Sequence, residues 1–214
     1  MTSPQALPYR AYLMAYDLDG NRLYDRTRTA FIVHAAALTE LAVRGLLGDD
    51  NGFPRIVSTQ SAQDAVLDAL LGEVAAHHRS WKSWLRHHYK QTLSRVEGEL
   101  ESAGAITITG RRLGGRQLVA VPDTTAVKAL QGEVTAVLAG EPPAVAVNAR
   151  DAALALLAVT AAVRHVLPPR QSRRGNGHVG ELAAQLDMVA SPLGQVIPGL
   201  RMTMIAAQGG MGGS

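Results

Sequence analysis

The stretch TAFIVHAAALTELAVRGLL, Thr29 to Leu47, decides the fold. Wound as a helix it carries apolar residues on nearly every face, so it needs cover from all sides and belongs in the middle of a core. Its polar residues fall at His34, Thr39, Glu40 and Arg44. Glu40 and Arg44 stand four apart, acid before base, an order that supports a helix by about 0.2–0.5 kcal/mol. Ala149 to Leu167, rich in Ala and Leu, reads as a second buried helix, with Arg164 and His165 in its last turn where cations suit the helix dipole. The fold class that follows is mainly α: one globular helical domain around two buried helices.

Composition agrees. Hydrophobic residues are 47% of the 214-residue chain and aromatics only 4%, so Ala, Val and Leu must fill the interior, which favours close-packed helices. The chain has no cysteine, which excludes disulfides, thiolate metal sites and cysteine nucleophiles and agrees with a reducing compartment. The formal charge of +3 favours anionic partners wherever the charges cluster. Residues 1–15 lack a basic segment followed by an apolar run, so no secretory signal is expected. The longest apolar stretch, Ala152 to Val163, has 12 residues where about 20 are needed to span a bilayer. These features read as a cytoplasmic protein.

Working outward from the central helix, residues 1–11 read as a flexible tail, 12–207 as the domain and 208–214 as a disordered Gly-rich end. Tyr12 to Tyr16 reads as a short strand or helix running into a turn at Asp17 to Asn21. The alternating Asp17, Asp19 and Asn21 imitate a calcium loop, but its twelfth position is Arg28 rather than the required glutamate. Gly48 to Arg55 is a turn-rich connection, with Ile56-Val57 as a short strand. Ser58 or Ser61 then caps a helix from Ala62 to Ala76. In WKSWLRHHY, residues 81–89, the spacing of Trp81, Trp84 and Leu85 buries them together on one helical face while Lys82, Arg86 and His88 point elsewhere. The pairs His77-His78 and His87-His88 are adjacent and diverge on a helix, so no metal site is expected.

Thr92 to Ala103 forms an amphipathic helix on Leu93, Val96 and Leu100 that ends at Gly104, with Glu97, Glu99 and Glu101 on its outer face. AITITGRRLGGRQLVAV, residues 105–121, gives two alternating runs around a Gly- and Arg-rich turn, a β-hairpin signal. A helix from Asp123 to Leu138 is capped by Asp123 or Thr124 and broken by Gly140 to Pro143. Pro168 to His178 reads as an exposed basic loop, followed by two weaker helical pieces at Val179 to Val189 and Val196 to Ala207.

No phosphate loop, dinucleotide fingerprint or nucleophile elbow occurs, so an enzyme is not expected and no cofactor is implied. Positive charge instead recurs around one unit. Lys82, Arg86, Lys90 and Arg95 precede the hairpin, and Arg111, Arg112 and Arg116 form its turn. Such a collection suits phosphate-bearing ligands.

The order of LTELAVRGLL (38–47), DAVLDALL (64–71), SWL (83–85), LESAGAI (100–106) and the hairpin resembles the Golgi phosphoprotein 3 family, in the version common in actinobacteria. The helix motif E-L-x-x-R-G-x-L, here Glu40, Leu41, Arg44, Gly45 and Leu47, is the clearest signature. The resemblance implies a mainly helical domain with a protruding hairpin, peripheral on membranes, which in eukaryotes binds phosphatidylinositol 4-phosphate and sorts Golgi enzymes. Carried across, the family's headgroup residues fall at Tyr24 or Asp25, at His34, and at Lys90 and Leu93 with Arg95 following. The family's membrane-dipping loop falls at Leu118 to Val127, with Val119, Val121 and Val127. The implied partners are an anionic phospholipid surface and a protein cargo, with self-association through the hairpin a further option. The rival reading from the residues is a winged-helix DNA reader using Thr92 to Ala103 and the hairpin. Glu97, Glu99 and Glu101 would meet phosphates badly, so nucleic acid is not the expected partner.

Overall fold

Helix α2, Arg26–Val43, forms the axis of the computed structural model, which describes residues 5–109, 118–167 and 173–209. Every residue from Thr29 to Ala42 is buried. Asp25 caps the helix by accepting from the Arg28 amide at 3.0 Å. Gly45, at φ +70°, ends it: the Leu46 amide donates to the Leu41 carbonyl (3.0 Å) and the Gly45 amide to that of Ala42 (2.9 Å). This paired closure needs a left-handed residue, which is why glycine stands there.

Around α2 pack α1 (Leu7–Met14), α3 (Ala65–Ala76), α5 (Tyr89–Ser102), α7 (Ala149–Ala161), α8 (Arg173–Ala190) and α9 (Leu193–Gly209). Helix α7 is the second buried element, covered by α1, α2, α8, α9 and α6 (Thr124–Ala139). The short helix α4, Trp81–Trp84, buries both tryptophans and Leu85 and packs against α9. The architecture is therefore mainly α with two buried helices, and its strands form only two-stranded antiparallel pairs among the described residues.

In the hairpin, β5 (Thr107–Thr109) pairs with β6 (Leu118–Ala120), with Thr107 opposite Ala120 and Thr109 opposite Leu118. Its turn, with Arg111, Arg112 and Arg116, lies outside the described residues. Strands β1 (Tyr16–Asp17) and β2 (Arg22–Leu23) flank the Asp17 to Asn21 turn. There the Gly20 amide donates to Asp17 Oδ1 at 3.0 Å, and a Cβ on Gly20 would lie 2.4 Å from Asp17 Oδ2. The acids serve a tight turn.

Several sequence expectations are corrected. The tail over residues 1–11 is helix α1 from Leu7, because Leu7, Tyr9 and Ala11 dock on α2 fully buried. The connection after α2 is a hairpin, β3 (Leu47–Asp50) with β4 (Phe53–Ile56), closed by Asn51 and Gly52 at positive φ. Pro54 within β4 masks the strand in the sequence. Helix α3 starts three residues late because Asp64, not a serine, caps it, accepting from Val66 and Leu67 amides at 3.0 Å. Helix α7 stops at Ala162, which adopts φ 52°, so Arg164 and His165 lie beyond it. The basic loop expected to reach His178 gives way to helix from Arg173, and α9 continues to Gly209, past the expected disordered boundary.

Candidate functional site

The buried glutamates of this protein are matched by arginines, and a run of cations without ion pairs among the described residues lies on one segment. Glu40, 1% exposed, accepts from Arg44 Nε at 2.7 Å, from Arg150 Nε at 2.9 Å and from the Leu7 amide at 3.4 Å, tying α2 to α7 and α1. Arg44 also donates to the Ala62 carbonyl at 2.7 Å. An open cleft of about 760 Å³ lies over this clamp. Its three arginines face three acids, and Arg10 pairs with Asp151 at 2.8 Å and Glu133 at 3.5 Å. With its cations neutralised by built-in carboxylates, the cleft holds little attraction for an anion.

Glu97 is a further correction. Expected on the outer face of its helix, it is buried and gripped by the Arg26 guanidinium through two hydrogen bonds, one of them Nη2 to Oε2 at 2.6 Å. The Tyr12 hydroxyl also donates to it at 3.3 Å. Burial and this neighbouring carboxylate push the Tyr12 phenol well above its usual value, so it stays a donor.

Most of the residues carried over from the family are engaged in holding the fold. His34 is fully buried. Its Nε2 lies 2.9 Å from the Trp84 carbonyl, which can only accept, so Nε2 carries the proton and Nδ1 accepts from the Thr92 hydroxyl at 2.7 Å. Burial lowers its pKa to about 4. The side chain is thus a neutral tie between α2, α4 and α5 and supplies no charge to a ligand. Leu93 is buried, and Asp25 is the helix cap. Tyr24 is half-buried, donating from its hydroxyl to the Ala162 carbonyl at 2.9 Å. Arg95 is drawn to Glu73 at 2.8 Å, which offsets its charge. Of the set, Lys90 alone is an exposed cation without a carboxylate partner among the described residues, resting 5.9 Å from the Tyr89 ring. The insertion loop is corrected too: Val119, Val121 and Val127 are 4%, 8% and 1% exposed, and only Leu118 offers a large apolar side chain to solvent there.

What the structure brings forward is the segment that leads from α3 through α4 into the start of α5. From residue 74 to residue 96 the sequence has no Asp or Glu. Within it Lys82, Arg86 and Lys90 are exposed and Arg79 is half-buried, and none of the four makes an ion pair among the described residues. Arg79 lies over the Trp84 ring at 5.9 Å, a cation–π geometry. Of the two acids on the adjoining hairpin, Asp49 is occupied by Trp81 Nε1 at 2.7 Å and the Gly52 amide at 3.0 Å, and Asp50 is exposed and accepts from Asn51 Nδ2 at 3.1 Å. The signal for this segment is a gap, the missing carboxylates, rather than a motif. Among the described residues no cluster of His, Asp and Glu is placed to hold a metal ion, and no helix is long and apolar enough to cross a membrane.

The class of protein is then a mainly helical domain, its interior charges paired and an uncompensated basic segment on its surface. The family model described as Golgi phosphoprotein 3 (GPP34) matches residues 7–198, and the chain belongs to that family. No curated protein matches the chain.

Proposed function

We propose that this protein is a peripheral membrane adaptor that captures anionic phospholipid headgroups through Lys82, Arg86 and Lys90, with Arg79 beside them, and acts by binding rather than catalysis. The observation that carries the reading is the run from residue 74 to residue 96 without Asp or Glu, whose exposed cations have no acidic partner among the described residues. Kinship with the Golgi phosphoprotein 3 family supports the same direction. Each basic residue near an anionic bilayer contributes about 1 kcal/mol, so three supply about 3 kcal/mol, enough for reversible capture. The hairpin arginines Arg111, Arg112 and Arg116 add to this charge on sequence grounds.

Vesicle flotation tests the proposal. Wild-type protein is expected to float with phosphatidylserine-containing vesicles, to release as salt is raised, and to ignore pure phosphatidylcholine. Replacing Lys82, Arg86 and Lys90 by alanine lowers partitioning about a hundredfold. Equal recovery on neutral and anionic vesicles, insensitive to salt, would overturn it.

A further inference from the structure

Helix α9 buries Leu193, Ile197, Leu200 and Met204 against the body, each at most 3% exposed, and leaves Met202 72% and Ile205 50% exposed on its outer side. Single apolar residues on a surface are ordinary. The charge pattern of the segment that carries these two is not. After Asp187 the sequence contains no Asp or Glu, and the charged side chain of α9 is Arg201, exposed next to Met202. The helix also packs against α4, which carries exposed Lys82 with Arg86 just beyond. Two segments without Asp or Glu therefore meet in the fold, one basic and one presenting apolar side chains.

An apolar face beside uncompensated cations matches a surface that is anionic outside and apolar beneath. A second copy of this chain would bring like charges together at that face, whereas an anionic bilayer satisfies both features. The unbranched methionine adapts to disordered acyl chains. The loop that family likeness assigns to insertion has its valines in the core, so its apolar weight is already spent.

We propose that the outer face of α9, around Met202 and Ile205, is the part of this protein that enters the bilayer, with Arg201 and the α4 cations at headgroup level. The inference rests on the reading of the chain as a binder of anionic lipid surfaces. Because the 214-residue chain has no cysteine, Met202→Cys gives it a single attachment point for an environment-sensitive fluorophore. On phosphatidylserine-containing vesicles the label is expected to shift to the blue and to be quenched by a quencher on the lipid acyl chains. In flotation, Met202→Asp/Ile205→Asp is expected to partition about tenfold more weakly while retaining the wild-type circular dichroism spectrum. Met202→Gln/Ile205→Thr, a milder pair, is expected to fall between the two. If wild type floats but the label stays in a water-like environment, or both double variants float like wild type, insertion by α9 is overturned and surface capture stands. If wild type does not float with anionic vesicles, both readings fall. A label response that grows with protein concentration in the absence of vesicles overturns the bilayer in favour of a second copy.

Discussion

Replacing Glu40 by Gln tests the clamp that closes the helical body. Glu40 is 1% exposed and joins α2 to α7 through Arg150 and to α1 through the Leu7 amide. Burial opposes its ionisation, but the hydrogen bonds and charges of Arg150 and Arg44 outweigh that, so its carboxyl is held below the ordinary carboxylate value. Removing one partner of a buried ion pair costs about 3–5 kcal/mol. Here the Arg44 and Arg150 side chains keep 26% and 40% of their surface in water, so they re-solvate and the loss belongs at the low end. We expect about 3 kcal/mol, which in a chain of this size lowers Tm by about 6–12 °C.

Urea unfolding followed by circular dichroism measures the loss, and a double-mutant cycle with Arg150→Gln isolates the pair. A coupling above about 1 kcal/mol is expected. The sign with pH is fixed: a carboxylate with a depressed folded pKa stabilises fully above its unfolded value, and the contribution is lost as pH falls through the folded value. The variant should therefore lose part of the wild-type acid sensitivity below about pH 4.5. A cost under about 1 kcal/mol, or strict additivity with Arg150→Gln, would show that Glu40 does not hold these helices together.

Other expectations follow from single positions. His34, at a folded pKa of about 4 against about 6.5 unfolded, favours the folded state when neutral, so stability drops by about 3 kcal/mol as the pH is lowered from the upper value to the lower. His34→Gln flattens that interval in an acid titration, and an unchanged slope would refute the buried-neutral assignment. Gly45→Ala costs about 1–2 kcal/mol in urea unfolding, purely from its φ of +70°, since a Cβ there meets nothing within 4 Å. Ala162→Gly moves the other way, stabilising by about 0.5–1 kcal/mol, because Ala162 already sits at φ 52°. Two shifts of the same sign would exclude backbone strain as the common cause.

The parts of the fold written in local pattern were legible. The all-round apolar helix, the Trp81, Trp84, Leu85 face, the Leu93, Val96, Leu100 stripe and the Asp123 cap depend on spacing along a helix, which sequence displays directly. What escaped depends on partners far away in the chain. Glu97 resembles a solvated acid until Arg26, 71 residues earlier, is seen to bind it, and Arg150 reaches Glu40 across 110 residues. Family likeness places His34 among the headgroup residues, whereas its ring closes a polar gap between three helices. Cations were easier to find than their neutralisation: Arg95 counted as free charge until Glu73 was placed beside it.

The family signature itself turns out to be architectural, and this shapes the last prediction. Glu40 and Arg44 belong to the buried clamp, Leu41 and Leu47 to the core, and Gly45 to the left-handed helix end. None of the five is an exposed cation, so the motif transmits the fold without transmitting a ligand. The positions that would read a specific headgroup are a buried neutral imidazole, a buried leucine and a tyrosine tied to a backbone carbonyl. Exposed lysines and arginines on a surface act as point charges that respond to charge density and salt, not to stereochemistry. Vesicles carrying phosphatidylserine or phosphatidylinositol 4-phosphate, matched for surface potential, should therefore recruit this protein to within about threefold of each other, since a few cations supply only about 1 kcal/mol apiece whichever anion they meet. A preference of tenfold or more for the phosphoinositide at equal potential would mean that a stereospecific pocket exists, and that the basic run of Lys82, Arg86 and Lys90 is not what binds.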